Sequence, residues 1–400
     1  MAKNKEGANI IIVGHGAVGS VLGHLLSQER AVRSVVCVDR NFPKEVGCPG
    51  VEVLKLDASR PERLERLLKR LRPNILINAS KPEFNRALMS ACLKNGVNYV
   101  DLASYWDIDP DPKADSPYKV EQMDFDERFR RKGLFGLINA GASPGLTNLA
   151  AKECADSLDT VDSIKIRLCE FAGKTGIGFA WSVEWLLDEI NWKPLVFRNG
   201  KYRIAERFSE QETCAFPAPI GRKAVRLLSQ EEVSTIPQYI QTKNVDIKGY
   251  DSQEDTAMLL QRLGLVSEEK VRVGATTITP LALTAKLVKR SPLARFDPKA
   301  NPDAQFGFVV EATGRKAGKQ EIVGYSVMFP NQRAIDCLKL GGNFLSYPTA
   351  LAACRFTISA WESRKPGVYP PEGLDKKARS GIMSGLKRHA KVRRFSQRTR

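Results

Sequence analysis

The chain opens with a short apolar run into a glycine-rich turn, "NIIIVGHG". A helix-like stretch, "AVGSVLGHLLSQER", and a second apolar run, "SVVCVDR", follow. Short apolar runs bounded by turn signals read as buried strands. The alternation continues through the strand "VEVLKLDAS", the helix "PERLERLLKRL", the strand "NILINAS", the helix "EFNRALMSACLKNG" and the strands "NYVDLA" and "FGLINAG". It predicts an α/β fold with a doubly wound parallel sheet, a Rossmann domain over residues 1–145. Beyond residue 155 the rhythm changes to longer strands and irregular Pro-rich connections. "SIKIRLCEFAG" reads as a strand, and "FGFVVEATGRKAGKQEIVGYSVMF" as a long hairpin around "GRKAGK". An inserted α+β domain with a mainly antiparallel sheet is therefore expected over 146–340, serving substrate binding and dimerisation. "GNFLSYPTALAACRFTISAWES" reads as a late helix, before the punctuation "KPGVYPPEG". Residues 341–372 are expected to return to the first domain, and 373–400 to form a basic, flexible tail.

Length supports two domains, because 400 residues exceed the size at which one core keeps growing. No stretch approaches the roughly 18 to 20 apolar residues of a membrane span, which predicts a cytoplasmic protein without membrane contact. The eight cysteines lack any C-x-x-C pair, and Cys37, Cys92, Cys154, Cys169 and Cys354 sit in apolar or helical patterns; buried free thiols are expected. With three histidines far from paired cysteines, no metal site is expected. The net charge of +17 raises the question of nucleic acid, but residues 373–400 alone hold ten Lys/Arg against one Asp. That sets nucleic-acid binding aside as a role except through the tail.

The first turn carries the most specific chemistry. Gly14, Gly16 and Gly19 are spaced G-x-G-x-x-G between strand and helix, with Asp39 twenty residues beyond the third glycine. The first glycine permits the tight turn, the second lets a pyrophosphate approach, and the third allows close helix-strand packing. His15, Ala17 and Val18 complete that turn. Asp39 would accept hydrogen bonds from both ribose hydroxyls, favouring NAD, while its neighbour Arg40 leaves NADP possible. Ligands of such sheets bind at the strand carboxyl ends, a rim that gathers Asp57, Ala58, Asn78, Ala79, Ser80, Lys81, Asp101 and Tyr105.

None of the three histidines is well placed as a general acid or base, and the Tyr239/Lys243 pair lies outside the cofactor sheet. Hydride transfer at an amine carbon suits such a site, because the substrate nitrogen can shed its own proton before oxidation. Lys81, as a buried ammonium of lowered pKa, with Asp101 and Tyr105, are the candidate catalytic groups.

These residues resemble the saccharopine dehydrogenase-like family, which includes lysine 6-dehydrogenase and saccharopine reductase. The matching stretches are "VGHGAVG", "KLDAS", "VNYVDLA", "GASPGLTNLAA", "FRNGK", "FPAPIGRKAV", "TIP" and "RFTISAWESRKPGVYPPEG". The resemblance implies NAD(P)-linked oxidation or reductive formation of a carbon-nitrogen bond in an amino acid or opine-like conjugate, through an imine, within lysine or amino-acid metabolism. A polyamine reductase of carboxynorspermidine or homospermidine type is the alternative, and a non-catalytic nicotinamide-sensing or nucleic-acid-associated protein a further one. The resemblance also implies a homodimer, an adenine-side role for Asp57 and a nicotinamide-side role for Asn78 to Ser80. It places the turn at 141–148 along the substrate pocket, with Gly141, Ser143, Pro144, Gly145 and Asn148 as contacts. Helix N-termini favour anions, so this turn is expected to hold a substrate carboxylate, assisted by Arg222. Two departures stand out: after the "TIP" strand the chain has "IKGYDSQED", without the histidine of many relatives, and Ser143 stands where saccharopine reductases resemble each other in having Asp.

Overall fold

The computed structural model describes residues 7–41, 50–105, 118, 120–172, 180, 183–291 and 296–398; the side chains of 184–186 and 188 lie outside that description, as does Cys48. The predicted alternation folds as β1 (Ala8–Val13), α1 (Ala17–Ser27), β2 (Val32–Asp39), β3 (Val51–Lys55), α2 (Pro61–Leu71), β4 (Ile75–Asn78), α3 (Asn85–Asn95), β5 (Asn98–Asp101), α4 (Asp126–Arg131) and β6 (Phe135–Leu137). These strands lie in the order β3-β2-β1-β4-β5-β6, all parallel. Strand order reverses between β1 and β4, so the crevice outside their carboxyl ends is the place for a ligand.

A seventh strand completes this sheet from far along the chain. Gly367–Tyr369, read above as punctuation, pairs in parallel with β6. Its Val368 N–H donates to Asp126 Oδ1 at 2.8 Å.

Between the two sheets runs α5 (Leu146–Ala155), with eight of its ten residues buried. Only Lys152 and Glu153 escape burial, so the helix lies inside the core. Leu149 and Ala150 share one cluster with Ile10 and Ile12 of the first sheet and with Ile166 and Phe308 of the second. The turn at 138–145 is thus seated on buried structure.

The second sheet has nine strands and is mixed. At its centre β7 (Thr160–Phe171) pairs antiparallel with Gln305–Lys316 and parallel with Asn244–Asp251. The expected hairpin is there, Gln305–Lys316 against Lys319–Met328. Two helices of this half frame the site: α6 (Val183–Asn191) and α7 (Glu232–Tyr239). The latter corrects one expectation, since "TIP" is helical, with Pro237 inside α7 near its end.

The tail is a second correction. Asp375 caps the helix Lys376–Leu386 by accepting from Ala378 N at 2.8 Å, and Lys391–Arg398 pairs with Lys319–Met328 as the outer strand of the second sheet. Ile382, Met383 and Leu386 are buried on one helix face, and buried Arg379 pairs with Glu153 at 2.9 Å and with Asp156. Local charge compensation and that apolar stripe outweigh the repulsion on which the expectation of flexibility rested. Lys and Arg on an edge strand also discourage pairing with other sheets.

The five cysteines expected to be buried free thiols are so. Among the described residues no group of side chains could hold a metal ion, and no helix is long and apolar enough to cross a membrane.

Candidate functional site

A cavity of about 790 Å³ opens at the carboxyl rim of the first sheet. One wall comes from the ends of β1, β2, β3 and β4, namely Gly14 to Val18 without His15, Asp39 and Arg40, Leu56 to Ser59, and Asn78 to Lys81. The inner end holds Leu102, Ala103, Ser143, Pro144 and Thr349. Glu189, Trp192, Ser229, Gln230 and Glu231 form the opposite wall.

The first wall fits a dinucleotide. Gly14 has φ +101°, and a Cβ there would meet Ala79 O at 2.7 Å; one on Gly19 would overlap the Gly14 carbonyl. A Cβ on Gly16 would meet nothing within 4 Å, leaving a slot where a pyrophosphate approaches bare backbone. No side chain caps α1 and no acidic residue sits in its first turn, so its leading N–H groups face that slot unneutralised. His15 N–H donates to Asp39 Oδ2 at 2.8 Å and Asn41 N–H to Oδ1 at 2.9 Å, which fixes the carboxylate at the rim. Asp57 is held below the usual carboxylate range, first by hydrogen bonds from Ser59 and then by Arg60 and Arg40. Because Asp39 is held by two backbone donors, Asp39→Ser should weaken NADH binding roughly tenfold and improve NADPH binding. Fluorescence titration checks this, and unchanged cofactor preference counts against a ribose contact.

Several expected site residues lie elsewhere. Asp101 is 1% exposed and accepts from Asn139 N at 2.8 Å and Gln122 Nε2 at 3.1 Å. Burial pushes its carboxyl up to about 7. It therefore ties β5 to the chain after β6 rather than facing the cavity. Tyr105 is 42% exposed and outside the lining, and so is Arg222, exposed on a strand where it pairs with Ala215. Lys81 does line the cavity, but it is half-exposed with Glu83 at 3.8 Å, not buried as expected.

The turn at 138–151 is corrected in what it holds. Gly145 N–H donates to Asn148 Oδ1 at 2.8 Å, Leu146 N–H to Gly141 O at 3.0 Å and Thr147 N–H to Ala142 O at 3.3 Å. These bonds consume the leading donors of α5, which closes the corner to a substrate carboxylate. Its hydroxyls are engaged as well: Ser143 Oγ and Thr147 Oγ1 both donate to Glu232 Oε1, the latter at 2.7 Å. Asn148, fully buried, also donates to Glu372 Oε1 at 2.8 Å. Gly141, Gly145 and Asn148 build the turn, and only Ser143 and Pro144 reach the cavity.

Sequence reasoning missed the acidic side of the site. Glu189 and Glu231 are each 7% exposed on the cavity wall, and burial raises both carboxyls, Glu231 well above its ordinary value. Gln230 Nε2 donates to Glu189 Oε1 at 2.5 Å. Glu372 is pushed up to about 7 by burial. The available signal was "QEEVSTIP", two adjacent acids entering an apolar stretch with no neighbouring base.

Residues 10–136 match the model of the saccharopine dehydrogenase NADP binding domain. A carboxyaminopropylagmatine dehydrogenase of Synechocystis is 26% identical over 385 residues, covering 92% of this chain and 93% of its own. A carboxynorspermidine synthase of Vibrio alginolyticus is 23% identical over 397 residues, covering 92% of each chain. In fold, the chain is similar to apo saccharopine dehydrogenase (L-Glu forming) of Saccharomyces cerevisiae, with a TM-score of 0.68 over 97% of this chain and 100% of that one at 12% identity. With its dinucleotide-binding domain matched over residues 10–136 and its two-sheet architecture shared, the chain is similar to the saccharopine dehydrogenase-like family of NAD(P)-linked oxidoreductases.

Proposed function

We propose that the substrate is a carboxylated polyamine, whose secondary-amine carbon-nitrogen bond is oxidised to, or formed by reduction of, an imine. The observation that carries this reading is the charge of the cavity's substrate side. Opposite the dinucleotide wall its described lining offers the two carboxyls of Glu189 and Glu231 and no basic side chain; Lys81, at the nicotinamide end of the dinucleotide wall, is the one cation near them. Saccharopine, with three carboxylates, needs more cations than that. A polyamine bearing one carboxylate matches it: Lys81 takes the carboxylate, and Glu231 and Glu189 take ammonium groups beside Trp192. The names of the Synechocystis and Vibrio relatives support the same class, in place of a lysine-specific role.

In this reading the open slot at Gly16 and the α1 N-terminus hold the pyrophosphate, with His15, Ala17 and Val18 shaping the turn. Asp39 and Arg40 hold the adenosine ribose, and Asp57 and Ala58 the adenine side. Asn78, Ala79 and Ser80 lie at the nicotinamide end, where the bound cofactor supplies or accepts the hydride. The cation-binding wall keeps the reacting nitrogen near Ser143 and Ala103, and the half-buried cavity limits competing water. A homodimer belongs to the same proposal; the exposed Leu259, Leu263, Val273 and Leu287 between residues 254 and 290 support it.

The test follows NAD(P)H absorbance with carboxynorspermidine, carboxyaminopropylagmatine and saccharopine side by side. Turnover of one polyamine conjugate with kcat/KM at least about a hundredfold above saccharopine is expected, the size of two charge contacts. Equal or faster turnover of saccharopine overturns the assignment.

A further inference from the structure

We infer that Ser143 and Glu232 form a two-residue proton relay to the reacting nitrogen, an inference that rests on the amine chemistry just proposed. Ser143 lines the inner end of the cavity, beside Leu102, Ala103 and Thr349. Its Oγ–H donates to Glu232 Oε1, so a hydroxyl in contact with the cavity is coupled to a carboxyl with no exposure of its own. The other oxygen, Oε2, is buried without a hydrogen-bond partner among the described residues. A carboxyl serving only to brace the turn has no need of such an oxygen, since an amide would accept the same two hydroxyls. A protonated, neutral carboxyl leaves that second oxygen with no charge to compensate, so a proton passed along the Ser143 bond can reside on Oε1.

The surroundings of Glu232 are acidic and neutral. Thr147 of α5 adds its hydroxyl to Oε1, and Asn148 of the same helix links α5 to Glu372 in the turn Pro371–Gly373. Along the cavity stand Glu231 and Glu189, and the Tyr202 hydroxyl reaches α7 at Ser234 O, 3.2 Å away. Burial raises the Glu232 carboxyl, against the lowering effect of the Ser143 and Thr147 hydroxyls. A carboxyl tuned upward in this way exchanges its proton closer to neutral pH than a free one.

Proton and hydride balance along this path. In oxidation the substrate's secondary ammonium gives one N–H proton to Ser143 Oγ while the Ser143 proton passes to ionised Glu232. The neutral amine that results uses its lone pair to form the C=N bond as the adjacent carbon loses hydride, leaving an iminium. Reduction reverses both transfers, and protonated Glu232 returns the proton to the new amine. Glu232 never touches substrate; it acts through Ser143.

The experiment combines pH profiles with a substrate-free titration of the full chain. In the oxidative direction kcat should rise with pH as Glu232 ionises, with the limb above the ordinary carboxylate range. Glu232→Gln and Ser143→Ala should each lower kcat on the order of a hundredfold and remove that limb, while Ser143→Thr restores it. A limb that persists in Glu232→Gln overturns the relay, and should that variant fail to fold, Ser143→Ala carries the same comparison. Infrared difference spectra against Glu232→Gln should show a carboxyl band that titrates in the wild type and shifts in Ser143→Ala. A band unmoved by pH overturns the relay with or without substrate. If wild-type protein turns over no carboxylated polyamine, the proposed function fails, and the infrared titration alone decides the relay.

Discussion

Glu231→Gln should raise the KM for a carboxylated polyamine roughly ten- to a hundredfold while leaving the KM for NAD(P) unchanged. A hydrogen bond to a charged partner contributes about 1.5 to 3 kcal/mol, which is that range of affinity. The effect is also pH-dependent. Burial holds the Glu231 carboxyl well above its ordinary value, so at low pH it is neutral and a poor partner for ammonium. Amine affinity in the wild type should therefore rise as pH rises through the Glu231 titration, and the variant should lose this dependence. Steady-state kinetics across pH with one polyamine conjugate measures both. A variant with wild-type KM at every pH removes Glu231 from the substrate wall.

Gly16→Ala and Gly19→Ala should both abolish tight NAD(P)H binding, but only the second should cost stability. A methyl on Gly16 enters empty space where the pyrophosphate approaches, whereas one on Gly19 overlaps the Gly14 carbonyl beneath the turn. Overpacking of that kind costs about 1 to 3 kcal/mol, and a lost backbone approach to the pyrophosphate on the order of a hundredfold in affinity. Calorimetric titration with NADH, paired with thermal unfolding, separates the two. Wild-type NADH affinity in Gly16→Ala would mean that the cofactor does not use this turn.

The first six strands of the first sheet were legible because short apolar runs set off by turns alternate with helical patterns, and because the glycine triplet has one structural meaning in that position. The long hairpin announced itself through "GRKAGK" between two apolar runs, and the late helix through its length. Other elements gave weaker signals. Gly367–Tyr369 offers three residues flanked by prolines, too short for periodicity, and it becomes a strand only because β6 waits for a partner. Pro237 spoke against a helix at "TIP", since its missing N–H leaves Val233 O without its helical donor, yet burial of the preceding turn, Glu232 to Ile236, holds α7 together until it ends two residues on. The tail's charge hid the spacing of Ile382, Met383 and Leu386. On the site, the cofactor side could be read from the turn it needs, but the substrate side could not. Glu189 and Glu232 sit on helices and Glu231 at the entry to one, where the local sequence says nothing of what they face, and only the tertiary arrangement turns them toward Ser143 and the cavity.

The strand Gly367–Tyr369 closes the first sheet and Lys391–Arg398 the edge of the second. During synthesis, therefore, the first sheet cannot be finished before residue 369, nor the second before residue 398, has left the ribosome. Until then β6 and Lys319–Met328 each present a bare row of peptide groups, and β6 lies one short turn from Ser143. Order beside Ser143 thus waits on a strand more than two hundred residues downstream, and a chain released before residue 367 carries the cofactor turn without the strand that closes the sheet next to it.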